Sequence, residues 1–378
     1  MIFFGSINIE FFTRKYDLTR RCKNKLVLED NMKNFKALVL VVFITSTINY
    51  NTNAASIPSF GTIFSVKNNI PPRGQWVTNY GYCGEVAMIS AGLYYGQYLS
   101  QYDARAIASP GIKQNKSNSQ FLLGVNDEAS AKRMRLKYDS KSTSSNADFY
   151  TWVKNHVSKN HPVIIGVFNN EFLLYGDTNI NAGDDEYDHI VPVIGIGSNY
   201  SLTDSFYLDD LILFSDNGLY SPNGIMPYYY LYNATIFLKD RQMANSKKSQ
   251  IYSLPDYPEN KYGIAIMGVM DTNNEALPVR VETSINTELP EIKNNSFTRP
   301  VSRSLKLTIT VTKLTPGINY NLYRYSNEND IPTVSFNANS KNKGISPWRV
   351  INITSGSTWT TSVAIKSSDK VFFRAVKS

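Results

Sequence analysis

Residues 85–98 (EVAMISAGLYYGQY) constrain this chain more than any other stretch. Val86, Ile89, Leu93 and Tyr94 recur near helical spacing, and Ala87, Ser90, Ala91 and Gly92 between them are small. The pattern predicts a helix that is apolar nearly all round, and such a helix is stable only when other elements enclose it. Glu85 in its first turn complements the helix dipole. The turn Asn79-Tyr80-Gly81-Tyr82-Cys83-Gly84 leads into it. The Cys83 thiol therefore stands where backbone N–H groups and the dipole favour an anion, which lowers a thiol's pKa. A buried structural cysteine is the competing reading. The choice depends on whether the chain supplies a base and a group to orient it.

Met32-Lys33-Asn34-Phe35-Lys36, the apolar run Ala37 to Ile44 and the small-residue site Ala54-Ala55-Ser56 read as a secretory signal. Met32 is then the expected start, and residues 1–31 an upstream extension. A genuine N-terminus with a signal anchor is the alternative. The expected location is secreted, extracellular. No other stretch is long and apolar enough to cross a bilayer, so no stable membrane insertion is expected once the signal is removed. Residues 1–54 carry eight Lys/Arg and four Asp/Glu, so their loss takes the net charge from +8 to +4 (31 against 27). That mild excess gives no reason to expect nucleic acid as a partner. Cys22 is lost as well, leaving Cys83 as the sole thiol with no intramolecular disulfide to join. Glycosylation sequons stand at Asn115, Asn199, Asn233, Asn294 and Asn352.

Residues 56–78, rich in Pro and Gly, read as an extended entry. Short helices are expected over 100–108, 126–136 and 147–157, and strands over 163–168, 190–197, 211–214 and 262–269. Tyr220 to Tyr232 reads as an aromatic loop, and 239–262 as a linker or a loop returning to the first domain. Asp177, Asn179, Asn181 and Asp188 have the spacing of a calcium loop, but Ala182 occupies its obligatory Gly position. An acidic turn is expected there, and neither metal nor cofactor is assigned. His156 and His161 read as structural or solvent-facing. From residue 271 the texture changes to strict alternation, as in Leu305-Lys306-Leu307-Thr308-Ile309-Thr310-Val311. Six or seven short strands between turn signals predict an all-β sandwich. Leu314 to Tyr323 (LTPGINYNLY) resembles the loop-and-strand signature of fibronectin type III domains.

A thiol nucleophile needs a base, and the base needs an acceptor on its other ring nitrogen. His189 heads a predicted strand. Asp216 and Asn217 end the next one, and side-by-side strands would bring either of them to the imidazole. The segments Tyr80-Gly81-Tyr82-Cys83-Gly84, Ala147 to Phe168, Asp188-His189-Ile190-Val191-Pro192-Val193-Ile194-Gly195 and Asp216-Asn217-Gly218 resemble the papain-like cysteine peptidases, in particular the double-glycine (bacteriocin-processing) branch and its secreted relatives. The resemblance implies an α+β papain-like domain over 56–270, followed by the β-sandwich over 271–378. It implies a thiol hydrolase acting on a peptide or amide, with Cys83 as nucleophile, His189 as general base and acid, and Asp216, or alternatively Asn217, as orienting group. Such relatives carry a Gln six residues before the cysteine as oxyanion donor. Val77 holds that position here; Gln75 and Asn79 are the nearest amides, and the choice between them stays open. The interval from His189 to Asp216 is longer than in the relatives and implies an insertion around 198–210. A cysteine acyltransferase would use the same residues. A non-catalytic binding or adhesion protein is the reading from a different class, with the C-terminal domain as the surface for glycan or cell-surface contact.

Overall fold

The computed structural model describes residues 58–68, 70, 73–218, 229–284 and 298–378. The signal segment, Met32, Cys22, Asn294 and the aromatic residues 220–228 lie outside the described residues. The entry segment contains strand β1 (Phe64–Lys67). Helix α1 (Cys83–Tyr94) follows, and all of its residues are buried. It starts two residues earlier than the apolar pattern and stops four residues sooner. Gly96 takes a left-handed φ of 74°, and Gln97–Tyr98 turns out as strand β2, paired with a strand from the far end of the chain. Tertiary pairing has overridden local helix propensity here.

Helix α2 (Gln101–Ala108) is capped by the Ser100 hydroxyl, which accepts from Asp103 N–H. Helix α3 (Asp127–Arg133) ends before Arg135, whose φ is 58°. Strand β3 (Leu136–Thr143) comes next, in a polar stretch where periodicity had suggested no strand. Helix α4 (Asn146–Ser158), capped by Ser145, precedes the fully buried strand β4 (Val163–Asn169). After the short helix α5 (Glu171–Tyr175) come β5 (His189–Ser198), β6 (Leu211–Ser215) and β7 (Tyr229–Asn233). The segment read as linker or returning loop does return. After α6 (Ala234–Phe237) and β8 (Leu238–Lys239), it holds α7 (Arg241–Ala244) and β9 (Tyr252–Pro255), and β9 pairs with β4. Strand β10 (Lys261–Val269) lies between β3 and β4.

These strands make one nine-stranded sheet with the path β3-β10-β4-β5-β6-β7, to which β1, β8 and β9 attach. Its pairs are antiparallel apart from β8–β9. The period-two rule sorts its residues onto two faces. Ile164, Ile190, Ile264 and Ile266 share a core with α1. Val163, Ile165, Val191 and Val193 pack with Phe149 and Val153 of α4 on the other face.

After residue 270 come β11 (Ala276–Leu277), β12 (Val279–Thr283), β13 (Ser304–Thr312), β14 (Tyr320–Tyr325), helix α8 (Phe336–Asn342), β15 (Arg349–Ile351), β16 (Thr358–Lys366) and β17 (Val371–Lys377). They form two antiparallel sheets, β12-β13-β16 and β11-β17-β14-β15, with β2 added to β17. The expected alternation shows on β13, where Leu305, Leu307, Ile309 and Val311 are buried. Helix α8 was not anticipated; its FNANSKN sequence carries little apolar periodicity, and Phe336 is its main buried anchor. The molecule is thus mixed α/β with mostly antiparallel sheets. One apolar cluster runs from Met88, Ile89 and Leu93 of α1 into Val279, Leu307, Ile309 and Phe373 of the later sheets. The helix that had to be enclosed lies between the nine-stranded sheet and the C-terminal sheets.

Candidate active site

The turn before Cys83 carries three successive left-handed residues: Asn79 (φ 53°), Tyr80 (φ 70°) and Gly81 (φ 80°). For the two non-glycine residues this costs roughly 1–2 kcal/mol each, so the surroundings must hold them. Arg105 of α2 does much of this. Its Nη1 donates to Asn79 O at 2.7 Å, its Nη2 donates to Gly81 O, and its plane lies 3.5 Å from the Tyr82 ring centre. Gln120 Nε2 donates to Tyr80 O at 2.8 Å. Arg105 Nε in turn donates to Glu85 Oε1 at 2.6 Å, with both side chains buried. The same Glu85 oxygen accepts from Phe121 N–H at 3.0 Å. One buried ion pair thus ties the first turn of α1 to the carbonyls just before it. Gly84 is needed for the same packing, since a Cβ there would lie 2.5 Å from Phe121 O.

His189 is the first residue of β5 and is 1% exposed. The antiparallel β5–β6 pairing (Val193 opposite Phe214) carries β6 back toward the head of β5, so the turn after it arrives at the imidazole. There His189 Nε2 meets the main-chain oxygen of Asp216 at 2.9 Å. A carbonyl can only accept, so Nε2 carries the proton and Nδ1 is the basic nitrogen. Nδ1 is buried and makes no hydrogen bond of ordinary geometry within the chain. The group acting on the ring besides Asp216 is Cys83. Burial alone would lower the imidazole's pKa. Hydrogen bonding to Cys83 and the Cys83 charge, with the Asp216 charge and carbonyl, outweigh burial and hold it above its ordinary value. Tyr252 stacks on the ring at 5.5 Å.

Asp216 and Asn217 both reach the site, in different ways. Asp216 orients His189 through its carbonyl; its carboxylate accepts from Gly218 N–H at 2.9 Å, which shapes the turn. Asn217 (φ 59°) donates through Nδ2 to Ile190 O at 3.0 Å and to Cys83 O at 3.3 Å. Its own carbonyl accepts from Gln75 N–H at 2.8 Å. Asn217 thereby joins the cysteine helix, the histidine strand and the entry loop.

The two amide candidates separate. Asn79 is buried inside the turn, with its carbonyl on Arg105 and its side chain hydrogen-bonded to Tyr82. Gln75 is tied by its backbone to Asn217, and its Oε1 is buried with no hydrogen-bond partner. Asn79 is thus a structural part of the turn, and Gln75 is the amide beside the Asp216-Asn217 turn.

Asp188, the last residue of the calcium-like spacing, is engaged within the chain. Its carboxylate pairs with Arg241 and accepts from Asn169 N–H at 2.8 Å and Asp184 N–H at 2.6 Å. Among the described residues no group of three or more His, Cys, Asp or Glu could hold a metal. The stretch 198–210 is tied to helix α4 through a buried pair, Lys154 with Asp210 at 2.9 Å. His156 and His161 belong to a separate cluster, bonded to each other at 3.1 Å, with Asp139 on His156. Sequence reasoning missed Arg105, Tyr252 and Arg241. Only Arg105 left a trace, as a basic residue in a short helix with an acid waiting in the first turn of α1.

Comparison with family models, with curated proteins and with solved structures finds no match to this chain.

Proposed function

We propose that this chain is a secreted thiol hydrolase, a cysteine peptidase with a papain-like domain over 56–270 and a β-sandwich over 271–378. One observation carries the reading: the thiol at the head of the buried helix interacts with an imidazole whose far nitrogen is fixed by the Asp216 carbonyl. In the reaction the Cys83 proton passes to His189 Nδ1, and the sulfur attacks the substrate carbonyl carbon. The negative oxygen that forms lies near the first N–H groups of α1, with Gln75 as the side-chain donor. His189 gives its proton to the leaving nitrogen, and the C–N bond breaks to leave a thioester on Cys83. Water then attacks the thioester, His189 takes its proton, and the thiol is restored.

A second reading, a non-catalytic binding protein, is favoured by the burial of the pair, Cys83 at 2% and His189 at 1%. Alkylation of the folded protein separates the two. Under the hydrolase reading Cys83 reacts well below pH 8.5, the ordinary thiol range, because the imidazolium persists beside the thiolate. His189→Gln should slow alkylation at pH 7 by roughly 10²-fold and move its pH profile upward. Cys83→Ala should abolish labelling and peptide cleavage. A thiol that reacts only after unfolding would establish the binding protein instead.

A further inference from the structure

Strand β16 is an open edge of the sheet β12-β13-β16. Its nine residues, TWTTSVAIK, carry a single charge, Lys366, at the very end. Among the described residues, every other edge strand has five residues or fewer, apart from β3, which carries Lys137, Asp139 and Lys141. Proteins ordinarily blunt a long edge with charge, proline, a bulge or a covering segment. β16 has no proline and no charge before its last residue, and its register with β13 runs unbroken from Ser304–Lys366 to Thr312–Thr358.

The bonds on the far side of β13 show which main-chain groups of β16 face outward. Lys306 O accepts from Ser284 N–H at 3.0 Å, and Thr312 N–H donates to Pro278 O at 3.1 Å, so both residues bond away from β16. Ala364 and Thr358, which stand opposite them, therefore turn their N–H and C=O groups to the open edge. By the same alternation so do Thr360 and Ser362. All four residues are exposed, and among the described residues no hydrogen bond reaches these outward main-chain groups. The run closes at Lys366, whose N–H donates to Asp369 Oδ2 at 3.0 Å. On the inner face Trp359 and Val363 are only half-buried, packed at the border of the apolar cluster.

We propose that β16 pairs with the β16 of a second copy of this chain, antiparallel about a two-fold axis at Thr361. The strand is its own complement in that register. Thr360 lies opposite Ser362 of the second copy and Thr358 opposite Ala364, and these are the residues whose N–H and C=O groups face outward. Each such pair exchanges two N–H···O bonds. Trp359 falls opposite Val363 in a non-hydrogen-bonded pair, where side chains approach most closely, and aromatic with β-branched is a favourable combination there. The two-fold makes that contact twice and covers the half-buried border of both cores. Lys366 falls opposite Gly356, so no like charges meet. A two-fold contact uses up both edges and closes the assembly at two copies.

Sedimentation of the chain from about 1 μM to about 1 mM tests this. The mass should rise from one copy to two and no further. Thr360→Lys/Ser362→Lys sets Lys opposite Lys at exposed positions and should weaken dimerisation about tenfold or more. Thr360→Lys/Ser362→Glu sets Lys opposite Glu and should dimerise at least as tightly as the parent. In a background without Cys22 and Cys83, oxidised Thr361→Cys should cross-link to its own copy. The two Cα atoms would stand about 4.5 Å apart, within disulfide reach. Thr358→Cys, about 20 Å from its copy in this register, should not. A chain that stays monomeric throughout, with or without a bound peptide, overturns the proposal, and so does an assembly that grows past two. It also fails if the Lys/Lys variant dimerises like the parent, or if the Lys/Glu variant is as weak as Lys/Lys. Should the charged variants not fold, the two cysteine variants decide, and Thr358→Cys cross-linking as readily as Thr361→Cys refutes the register.

Discussion

At the scale of single residues, the turn that carries Cys83 depends on a buried ion pair behind it. Glu85 and Arg105 are both buried, and Arg105 also holds two carbonyls of the strained turn. Glu85→Gln would leave a buried guanidinium without its counter-charge. Such a change costs about 3–5 kcal/mol, whereas replacing both partners by apolar residues is often neutral. Urea unfolding of Glu85→Gln should show that loss, and the Glu85→Leu/Arg105→Met double variant should recover much of it. A single variant within about 1 kcal/mol of the parent would mean that the pair does not hold the turn. Cys83 and His189 were legible because each sits at the head of a strongly patterned element. The way Asp216 takes part was not. Whether a carbonyl or a carboxylate meets the imidazole depends on the φ/ψ values of the turn, and residue types do not encode those directly. The choice between Gln75 and Asn79 likewise needed the left-handed turn at 79–81 and the bond from Gln75 N–H to Asn217.

At the scale of elements, α1 shows how little room a central helix leaves. A Cβ on Gly84 would meet Phe121 O at 2.5 Å and Phe121 Cδ1 at 2.6 Å, while one on Gly92 would meet nothing nearer than 3.6 Å. Gly84→Ala should therefore destabilise by about 1–3 kcal/mol and slow alkylation of Cys83, because the helix must shift. Gly92→Ala should be neutral or stabilising by up to about 1 kcal/mol, from better helix propensity. Thermal unfolding of the two variants checks the contrast, and equal effects would refute the packing account. Buried apolar elements such as α1, β4 and β5 were readable from composition and period. Strand β3 and helix α8 were not, because pairing with β10 in one case and the single anchor Phe336 in the other decide their form.

At the scale of the whole molecule, the change of texture at residue 271 marks a change of architecture but not a break in the core. The cluster around α1 continues into the C-terminal sheets, and β2 is completed by β17. A chain cut to residues 56–270 would expose Met88, Leu93 and their neighbours to water, at a cost of about 1.5–3 kcal/mol for each large side chain uncovered. Neither 56–270 nor 271–378 alone should then show a cooperative unfolding transition, and the intact chain should show a single one. Two independent transitions would overturn this. Alternation along the later strands was visible in the sequence, whereas the packing of their inner face against the cysteine helix was not. Contacts between segments so far apart in sequence leave no local pattern.

The union of β2 with β17 also sets an order of events. Val371 lies opposite Tyr98, and Tyr98 OH donates to Ser367 O across 269 residues. A chain leaving the ribosome presents the cysteine helix long before the strand that completes its surroundings exists. Pairing over such a separation is slow and must wait for synthesis to pass residue 371. Until then α1 lacks part of its enclosure, and the turn that aims the thiol rests on an unfinished helix. Maturation of the thiol site is thereby timed by translation itself.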